Sequence, residues 1–162
     1  ELCQDKKQES LISHLNNFSN IKALSLCHNQ LDNLFLFKAI DNFSYLMSLE
    51  KLDLYGNYFN DLSVKIVIFF LKIQCKIKYL NFGRNCISNA GAKILADNIA
   101  AFKFMHTLIV TYNFIDDTGF KDIAVNFNAF LNLDICDFRY NRFSRKVYNF
   151  LLDQGSPKNF MI

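Results

Sequence analysis

The chain has 162 residues, of which 51% are hydrophobic and 20% are charged, so it is long enough for one domain with a substantial buried core. The net charge is only +3 and the basic residues form no long run, which argues against binding to nucleic acid. The five cysteines are odd in number and include no CxxC pair, so neither a disulfide framework nor a zinc site is indicated. The apolar runs are far shorter than the roughly 20 residues of a membrane span, so a transmembrane helix is not indicated either.

The first predicted element is a helix over residues 5–17, within a partial N-terminal repeat that spans residues 1–20. Leu11 and Leu15 lie 28 positions before Ala39 and Phe43, which occupy the apolar face of a later predicted helix. The strand of this partial repeat would therefore precede Glu1, and Glu1 itself would occupy the position of a turn asparagine. Two interpretations stay open, an N-terminal cap or a piece cut from a longer array, and we favour the cut piece because repeat arrays tolerate truncation between units.

A frame of 28 residues then recurs five times without insertion. Each copy begins with an L-x-L alternation, such as Leu24 and Leu26, which predicts a short strand with one buried face. An asparagine follows where the chain leaves the strand, and its amide can satisfy backbone groups that no regular pairing reaches. We expect these asparagines to stack as an internal structural ladder: Asn29, Asn57, Asn85, Asn113 and Asn141. The repeats span residues 21–48, 49–76, 77–104 and 105–132, and residues 133–162 hold the last repeat and a C-terminal cap.

A predicted helix follows each strand. A residue suited to the N-cap stands at its start in every repeat: Asp32, Asn60, Ser88, Asp116 and Ser144. Apolar residues then recur at helical spacing, as in Val64, Val67 and Ile68. Because these helices separate the strands, the strands must pair in parallel. The last helix contains Val147 and ends at Gly155, where the repeat pattern stops.

The frame resembles the leucine-rich repeat, LxxLxLxxNxL, as seen in "IKALSLCHNQL" at 21–31 and "IKYLNFGRNCI" at 77–87. The 28-residue period and the helical stretch "SNAGAKILADNIA" at 88–100 resemble the ribonuclease-inhibitor-like subfamily. The resemblance implies an α/β fold, a right-handed solenoid shaped as a horseshoe arc, with parallel strands on the concave face and helices on the convex face. It also implies a single domain over residues 1–162 that binds other proteins through its concave face.

The stretch Cys27-His28-Asn29 contains the three residue types of a cysteine protease site, but we interpret it as structural. The repeat frame assigns Asn29 to a turn and directs it inward, whereas Cys27 and His28 take outward positions. A catalytic thiol, imidazole and orienting group must converge within hydrogen-bond reach, and three consecutive residues on an extended backbone usually diverge. No enzymatic activity, cofactor or metal site is predicted, since His14 and His106 also lack partners at metal-ligand spacing.

Outward positions along the strands and turns predict the binding surface, because tyrosine and arginine are enriched at interface hot spots. The predicted partner-binding residues are Tyr55, Tyr58, Tyr79, Arg84, Ile109, Tyr112, Phe114, Arg139, Tyr140 and Arg142. The predicted function is a monomeric, non-enzymatic module for protein–protein interaction. The alternative is a targeting or scaffold arm of a larger, enzymatic effector whose other domain lies upstream, and RNA binding is disfavoured by the low net charge.

A rival surface on the convex side comprises Phe37, Phe69, Phe70 and Val125, although we expect Phe69 and Phe70 to pack against neighbouring helices. The unpaired cysteines predict a reducing, intracellular compartment. The abundance of Asn, Phe, Ile and Lys indicates an AT-rich genome, which fits either an amoeba or an intracellular bacterium. In the bacterial case the chain would be an effector, a virulence protein delivered into the cytosol of a host cell to bind a host protein.

Overall fold

A computed structural model describes residues 2–15, 17, 19–43, 46–74, 76–155 and 157–162. Glu1, for which a turn position was predicted, lies outside the described residues, as do the side chains of Cys3 and Cys75. The helix predicted for 5–17 is present as α1, Leu2–Leu15. Its Leu15 is buried in the same core as Ala39 and Phe43, as the repeat frame predicts.

Six strands form one parallel sheet in chain order within the described residues. They are β1 Ala23–Ser25, β2 Lys51–Asp53, β3 Tyr79–Asn81, β4 Thr107–Ile109, β5 Ile135–Asp137 and β6 Phe160–Met161. The central residues of β1 to β5 pair with one another in register: Leu24, Leu52, Leu80, Leu108 and Cys136. Each pairing joins equivalent positions of adjacent repeats, so the sheet has no register shift between repeats.

Strand β6 was not predicted, because it breaks the period. Phe160 pairs with Cys136 only 24 positions earlier, which places Phe160 outside the columns that the 28-residue frame defines. The predicted C-terminal cap therefore contains a strand of its own, and its Phe160 side chain is buried.

Helices line the other side of the sheet. They are α2 Asn33–Phe43, α3 Asp61–Gln74, α4 Asn89–Asn98, α5 Asp117–Val125, α6 Phe127–Leu131 and α7 Arg145–Asp153, with a 3₁₀ turn at Ile99–Ala101. All five predicted N-cap side chains accept a hydrogen bond from a backbone N–H of the first turn, as Ser88 does from Ala90. The single helix predicted for the fourth repeat is divided at Asn126, because asparagine competes for backbone hydrogen bonds and departs from helical geometry there (φ −108°, ψ 21°).

The core lies between the strand layer and the helix layer. Its strand side consists of fully buried residues from each repeat, such as Leu52, Leu54 and Leu80, and its helix side of residues such as Val64 and Leu95. Burial of the apolar side chains of this core is the main stabilising contribution to the fold. Cys136 replaces a leucine in the last repeat and is equally buried, which raises the pKa of its thiol well above the usual value.

The turn asparagines bind the backbone of two repeats at once. In Asn57, Asn85, Asn113 and Asn141 the amide nitrogen donates to carbonyls 31 and 3 positions earlier, and the amide oxygen accepts from the N–H 26 positions earlier. For Asn113 these partners are Phe82, Val110 and Ile87, at 3.0, 3.2 and 2.9 Å. Asn57, Asn85 and Asn113 are buried.

Asn29 differs, and the prediction that it points inward is wrong. Its side chain is exposed and donates to the carbonyl of Cys27 in its own turn, at 2.9 Å. The carbonyl that it would bind in the preceding repeat, 31 positions earlier, would precede residue 1.

A second ladder joins the starts of successive helices. The first residue of one helix accepts a hydrogen bond from the backbone N–H of the next N-cap residue, 27 positions later: Asn33 from Asn60, Asp61 from Ser88, Asn89 from Asp116 and Asp117 from Ser144. Side chains strengthen the contacts, since the Ser88 hydroxyl donates to Asp61 at 2.6 Å and the Ser144 hydroxyl donates to Asp117. The N-termini of α2, α3, α4, α5 and α7 are thus connected in succession.

The rival convex surface is only partly present. Phe70 is buried, with its ring 5.3 Å from that of Phe43, so the expectation that it packs against a neighbouring helix is confirmed. The same expectation is wrong for Phe69, which lines an open groove between α3 and α4 and remains 63% exposed. Phe37 and Val125 are exposed as well.

Candidate functional site

The central strands offer little free surface on their outward side. Asn81, Thr111 and Asp137 point away from the core and are nevertheless buried. Gly83 explains part of this burial, because a Cβ there would lie 2.7 Å from Thr111 Oγ1 and 2.8 Å from the Tyr55 ring, so neighbouring side chains close over it. Accessible side chains are therefore concentrated beyond the strands, where each chain segment turns towards its helix.

The residue before each turn asparagine adopts a left-handed backbone conformation. Positive φ angles occur at every equivalent position: His28 (56°), Gly56 (70°), Arg84 (52°), Tyr112 (54°) and Tyr140 (63°). Bulky residues adopt this conformation rarely, and they tolerate it here because the adjacent asparagine fixes the turn. The result is a row of side chains that project outward at one edge of the sheet. We call three of these residues, Arg84, Tyr112 and Tyr140, together with Phe114 and Arg142, which follow the turn asparagines of the last two repeats, the turn-edge surface.

Two tyrosines form the centre of the turn-edge surface. The rings of Tyr112 and Tyr140 stack at a centroid distance of 4.2 Å and an interplanar angle of 13°. The side chains remain 49% and 62% exposed, so the stack presents a broad apolar face with two hydroxyl groups to solvent. Desolvation, followed by the proximity of Tyr140, raises the pKa of Tyr112.

Arginines flank the stacked rings. The guanidinium carbon of Arg142 lies 4.4 Å from the centre of the Phe114 ring, a cation–π contact that orients the side chain. Arg84 is exposed on the other side. Among the described residues, neither Arg84 nor Arg142 has a carboxylate within salt-bridge distance.

Arg139 is in a different situation. Its Nε donates to Oδ1 of Asp137 at 3.0 Å and its Nη2 donates to Oδ2 at 2.7 Å, a bidentate ion pair. This contact raises the pKa of Arg139 and compensates the buried carboxylate of Asp137. Asp137 is not among the residues predicted from the sequence, although the D-x-R spacing on one strand face is the signal that predicts the pair.

The remaining predicted residues differ in exposure and in the contacts they make. Tyr79 is half-buried under the ammonium group of Lys51, 4.5 Å from its ring centre, and Tyr55 meets the His28 ring edge-on at 5.1 Å. Desolvation, with a smaller effect of Asp53, raises the pKa of Tyr79. The other two residues of the predicted set, Tyr58 and Ile109, are exposed and half-buried, respectively. Within the predicted set, the structure thus joins Tyr112 to Tyr140 and Phe114 to Arg142 through ring contacts beyond the C-terminal ends of β4 and β5, and the binding role of the set stays a prediction.

The Cys27-His28-Asn29 stretch does not assemble a catalytic geometry in the structure. The Cys27 thiol contacts the Ser25 hydroxyl at 3.1 Å and the carbonyl of Asp53 at 3.9 Å, while the His28 ring packs on Tyr55. Desolvation raises the pKa of Cys27, which is opposite to the effect that activates a nucleophilic thiol. Cys27, Cys86 and Cys136 are free thiols.

Over the part of the chain that the structure describes, no group of three or more His, Cys, Asp or Glu side chains could hold a metal ion. None of the helices there combines the length and the apolar character that crossing a membrane requires.

The comparisons with known proteins agree with the geometry. The profile of the family described as "Leucine Rich repeat" matches residues 74–96. No curated protein sequence matches the chain significantly. Among the 29 chains of solved structures that match, the structure of leiomodin-1 actin-binding site 2 (ABS2) has a TM-score of 0.66 and 12% sequence identity, over 93% of this chain and 87% of that one. The chain therefore contains a leucine-rich repeat, and the predicted α/β leucine-rich-repeat solenoid is confirmed.

Proposed function

We propose that the chain is a non-enzymatic protein-interaction module that binds a protein partner on its strand side, with the turn-edge surface as the main contact. The observation that carries the proposal is the exposed stack of Tyr112 on Tyr140. Burial of two aromatic side chains by a partner is a large favourable contribution to binding, and the rings are already held in one arrangement, so little side-chain entropy is lost.

The fold supports the same class of partner. A leucine-rich-repeat solenoid presents an extended strand face, and the structure of leiomodin-1 with the same fold is an actin-binding site. The helix side of this chain also carries exposed apolar residues, such as Phe37 and Val125. The turn-edge surface differs because it combines aromatic and basic side chains in two ring contacts, Tyr112 with Tyr140 and Phe114 with Arg142. The other five predicted residues would lie at the periphery of the contact: Tyr55, Tyr58, Tyr79, Ile109 and Arg139.

The test is a double substitution of the stacked rings. We expect Tyr112→Ala with Tyr140→Ala to weaken binding to a captured protein partner by at least about 100-fold, since each aromatic hot spot contributes 2 kcal/mol or more. Titration calorimetry of the purified partner with the whole chain measures the effect. The matched control is Tyr148→Ala with Phe104→Ala, which removes two exposed aromatic rings away from the turn-edge surface. Equal affinity of the double variant and the unaltered chain would refute the proposal.

The monomeric state, a host protein as partner and a reducing compartment extend this proposal and stay predictions. Three free thiols among the described cysteines support the reducing compartment.

A further inference from the structure

The turn-edge surface combines aromatic rings with exposed arginines. We infer that its partner is an acidic segment of a protein, which places carboxylates against Arg84 and Arg142 and an apolar side chain on the stack of Tyr112 and Tyr140. This inference rests on the proposed function and adds the chemical class of the partner.

Charge compensation within the molecule separates these two arginines from Arg139. Arg139 has its own carboxylate, Asp137, at 2.7 Å, and so has little remaining capacity for an anionic partner. Lys22 and Lys78 directly precede β1 and β3, at the N-terminal end of the strands. Their ammonium groups lie 3.8 and 2.7 Å from the carboxylate oxygens of Glu50, which compensates both charges.

Arg84 and Arg142 have no such compensation among the described residues, although both stand at exposed positions. Neighbouring carboxylates are already engaged. Asp116, which follows Phe114 by two residues, accepts hydrogen bonds from the Thr118 N–H at 2.7 Å and from the Asn89 amide at 2.9 Å. The guanidinium groups therefore carry positive charge that no carboxylate of the described residues balances, which leaves both groups available to an anionic partner.

The spacing of the two arginines fits an extended peptide. Arg84 belongs to the repeat of β3 and Arg142 to that of β5, and adjacent strands are about 4.8 Å apart, so their backbones are roughly 10 Å apart across the array. An extended chain rises about 3.3 Å per residue, so it covers this distance in about three residues. Tyr112 lies in the repeat between them, and Tyr140 lies in the repeat of Arg142, two residues before it. Acidic residues two to four positions apart, around an apolar residue, would contact all four side chains.

Preorganisation favours carboxylates at Arg142. The contact with Phe114 holds the guanidinium plane over the ring at 4.4 Å, so part of its rotational freedom is already lost before a partner binds. A fixed guanidinium can bind a carboxylate through two parallel hydrogen bonds, which are stronger than neutral ones. Single-stranded RNA also combines anions with stacking bases, but the two uncompensated cations here are far fewer than an RNA-binding groove usually carries.

The experiment selects short random peptides displayed on phage for binding to the whole chain, and then measures the selected pool on variants. We expect the pool to be enriched in Asp and Glu around an apolar residue. Binding of the pool should fall at least about tenfold in Arg84→Gln with Arg142→Gln, and this loss should diminish at high salt because charge screening weakens the contact in the unaltered chain. Lys103→Gln with Lys121→Gln is the control, since it removes the same charge from exposed sites away from the turn-edge surface and should leave binding unchanged.

Each outcome decides between the two proposals. A neutral or basic pool, or one that the arginine variant binds equally well, overturns the acidic partner; if Tyr112→Ala with Tyr140→Ala still abolishes binding of that pool, the proposed function stands. Failure to enrich any pool, or a pool insensitive to both variants, overturns both. If oligouridylate displaces the peptides at an equal concentration, the acidic partner is overturned and single-stranded RNA becomes the inferred partner.

Discussion

At the scale of single residues, the turn asparagines decide whether the backbone can leave the sheet at each repeat. Asn113 uses both of its amide donors and its carbonyl oxygen on backbone groups of two repeats. No other side chain type of this size both donates twice and accepts, so aspartate or leucine would leave buried backbone groups without partners. The cost of unpaired buried groups, rather than the gain from each bond, is what fixes the residue type.

Asn113→Ala should reduce the free energy of unfolding by about 2–4 kcal/mol, because it leaves the N–H of Ile87 and the carbonyls of Phe82 and Val110 unpaired in the core. Urea denaturation followed by circular dichroism measures the change. Asn29→Ala is the matched control, since its exposed side chain bonds only to Cys27 among the described contacts, and we expect a change of less than about 1 kcal/mol. Equal effects at the two positions would show that burial in the ladder is not the cause.

At the scale of secondary structure, the helix starts are coupled by charge as well as by hydrogen bonds. The hydrogen bond from Thr118 lowers the pKa of Asp116, and that from Ser144 lowers the pKa of Asp117. A carboxyl group whose pKa is lower in the folded state stabilises that state when it is ionised. The contribution is fully present above the ordinary value of 3.8 and is lost as the pH falls from there through the folded-state values.

Asp116→Asn with Asp117→Asn should therefore flatten the acid side of the stability profile. Asparagine preserves the acceptor function, as Asn60 does at an N-cap and Asn89 does at a helix start, but it does not titrate. Urea midpoints measured from about pH 7 to about pH 2.5 should decrease less steeply in the double variant than in the unaltered chain. Parallel profiles for the two proteins would contradict the assignment of acid sensitivity to this pair.

The second ladder also shows where prediction from the sequence ends. The strands, the N-caps and the asparagine positions follow from residues that recur every 28 positions. The contacts between helix starts have a separation of 27, so Asp61 and Ser88 stand in different columns of the repeat frame and their relation is not visible there. Asn29 shows a second limitation of the sequence. It has the residue type of the ladder, but the burial and the hydrogen bonds of its side chain depend on contacts with a neighbouring repeat.

The candidate site was predictable in composition and not in geometry. The outward positions of the frame identified Tyr112, Tyr140, Arg84 and Arg142, but they do not reveal the left-handed backbone conformation of Arg84, Tyr112 and Tyr140 or the stacking of the two tyrosine rings. The positive charge of Arg139 is compensated by Asp137, which lies two residues earlier on the same strand face. The sequence contains that pair, although the repeat frame gives no reason to select it.

At the scale of the whole molecule, the C-terminal end is closed by aromatic packing. The ring of Phe160 lies 5.1 to 6.3 Å from four others, Phe120, Phe127, Phe130 and Phe138, and stacks on Phe138 at 5.6 Å. These rings come from β6, from the last strand-to-turn segment and from α5 and α6. The short strand β6 thus covers the edge of β5 and the end of the hydrophobic core together.

Phe160→Ala should lower the free energy of unfolding by about 3–5 kcal/mol, the usual cost of removing a buried phenylalanine. Amide hydrogen exchange should show the loss first at Cys136 and Phe138, whose N–H groups donate to the carbonyls of Asn159 and Met161. Phe104→Ala, at an exposed position, is the control and should change stability by less than about 1 kcal/mol. Unchanged exchange in β5 would mean that β6 does not protect that edge.

The helix starts limit which repeats could be exchanged or duplicated. Asp61 and Asp117 each face a serine, whereas Asn33 and Asn89 face Asn60 and Asp116. Excision of residues 77–104 would leave every strand in register and yet bring Asp61 against Asp116, two carboxylates at one junction. Removal of 77–132 would instead join Asp61 to Ser144, a pairing of a kind that the array already contains. Asparagine and aspartate alternate as the first residue of these helices, so at the Asp61 junction a deletion of two repeats preserves the electrostatic pairing that a deletion of one repeat disturbs.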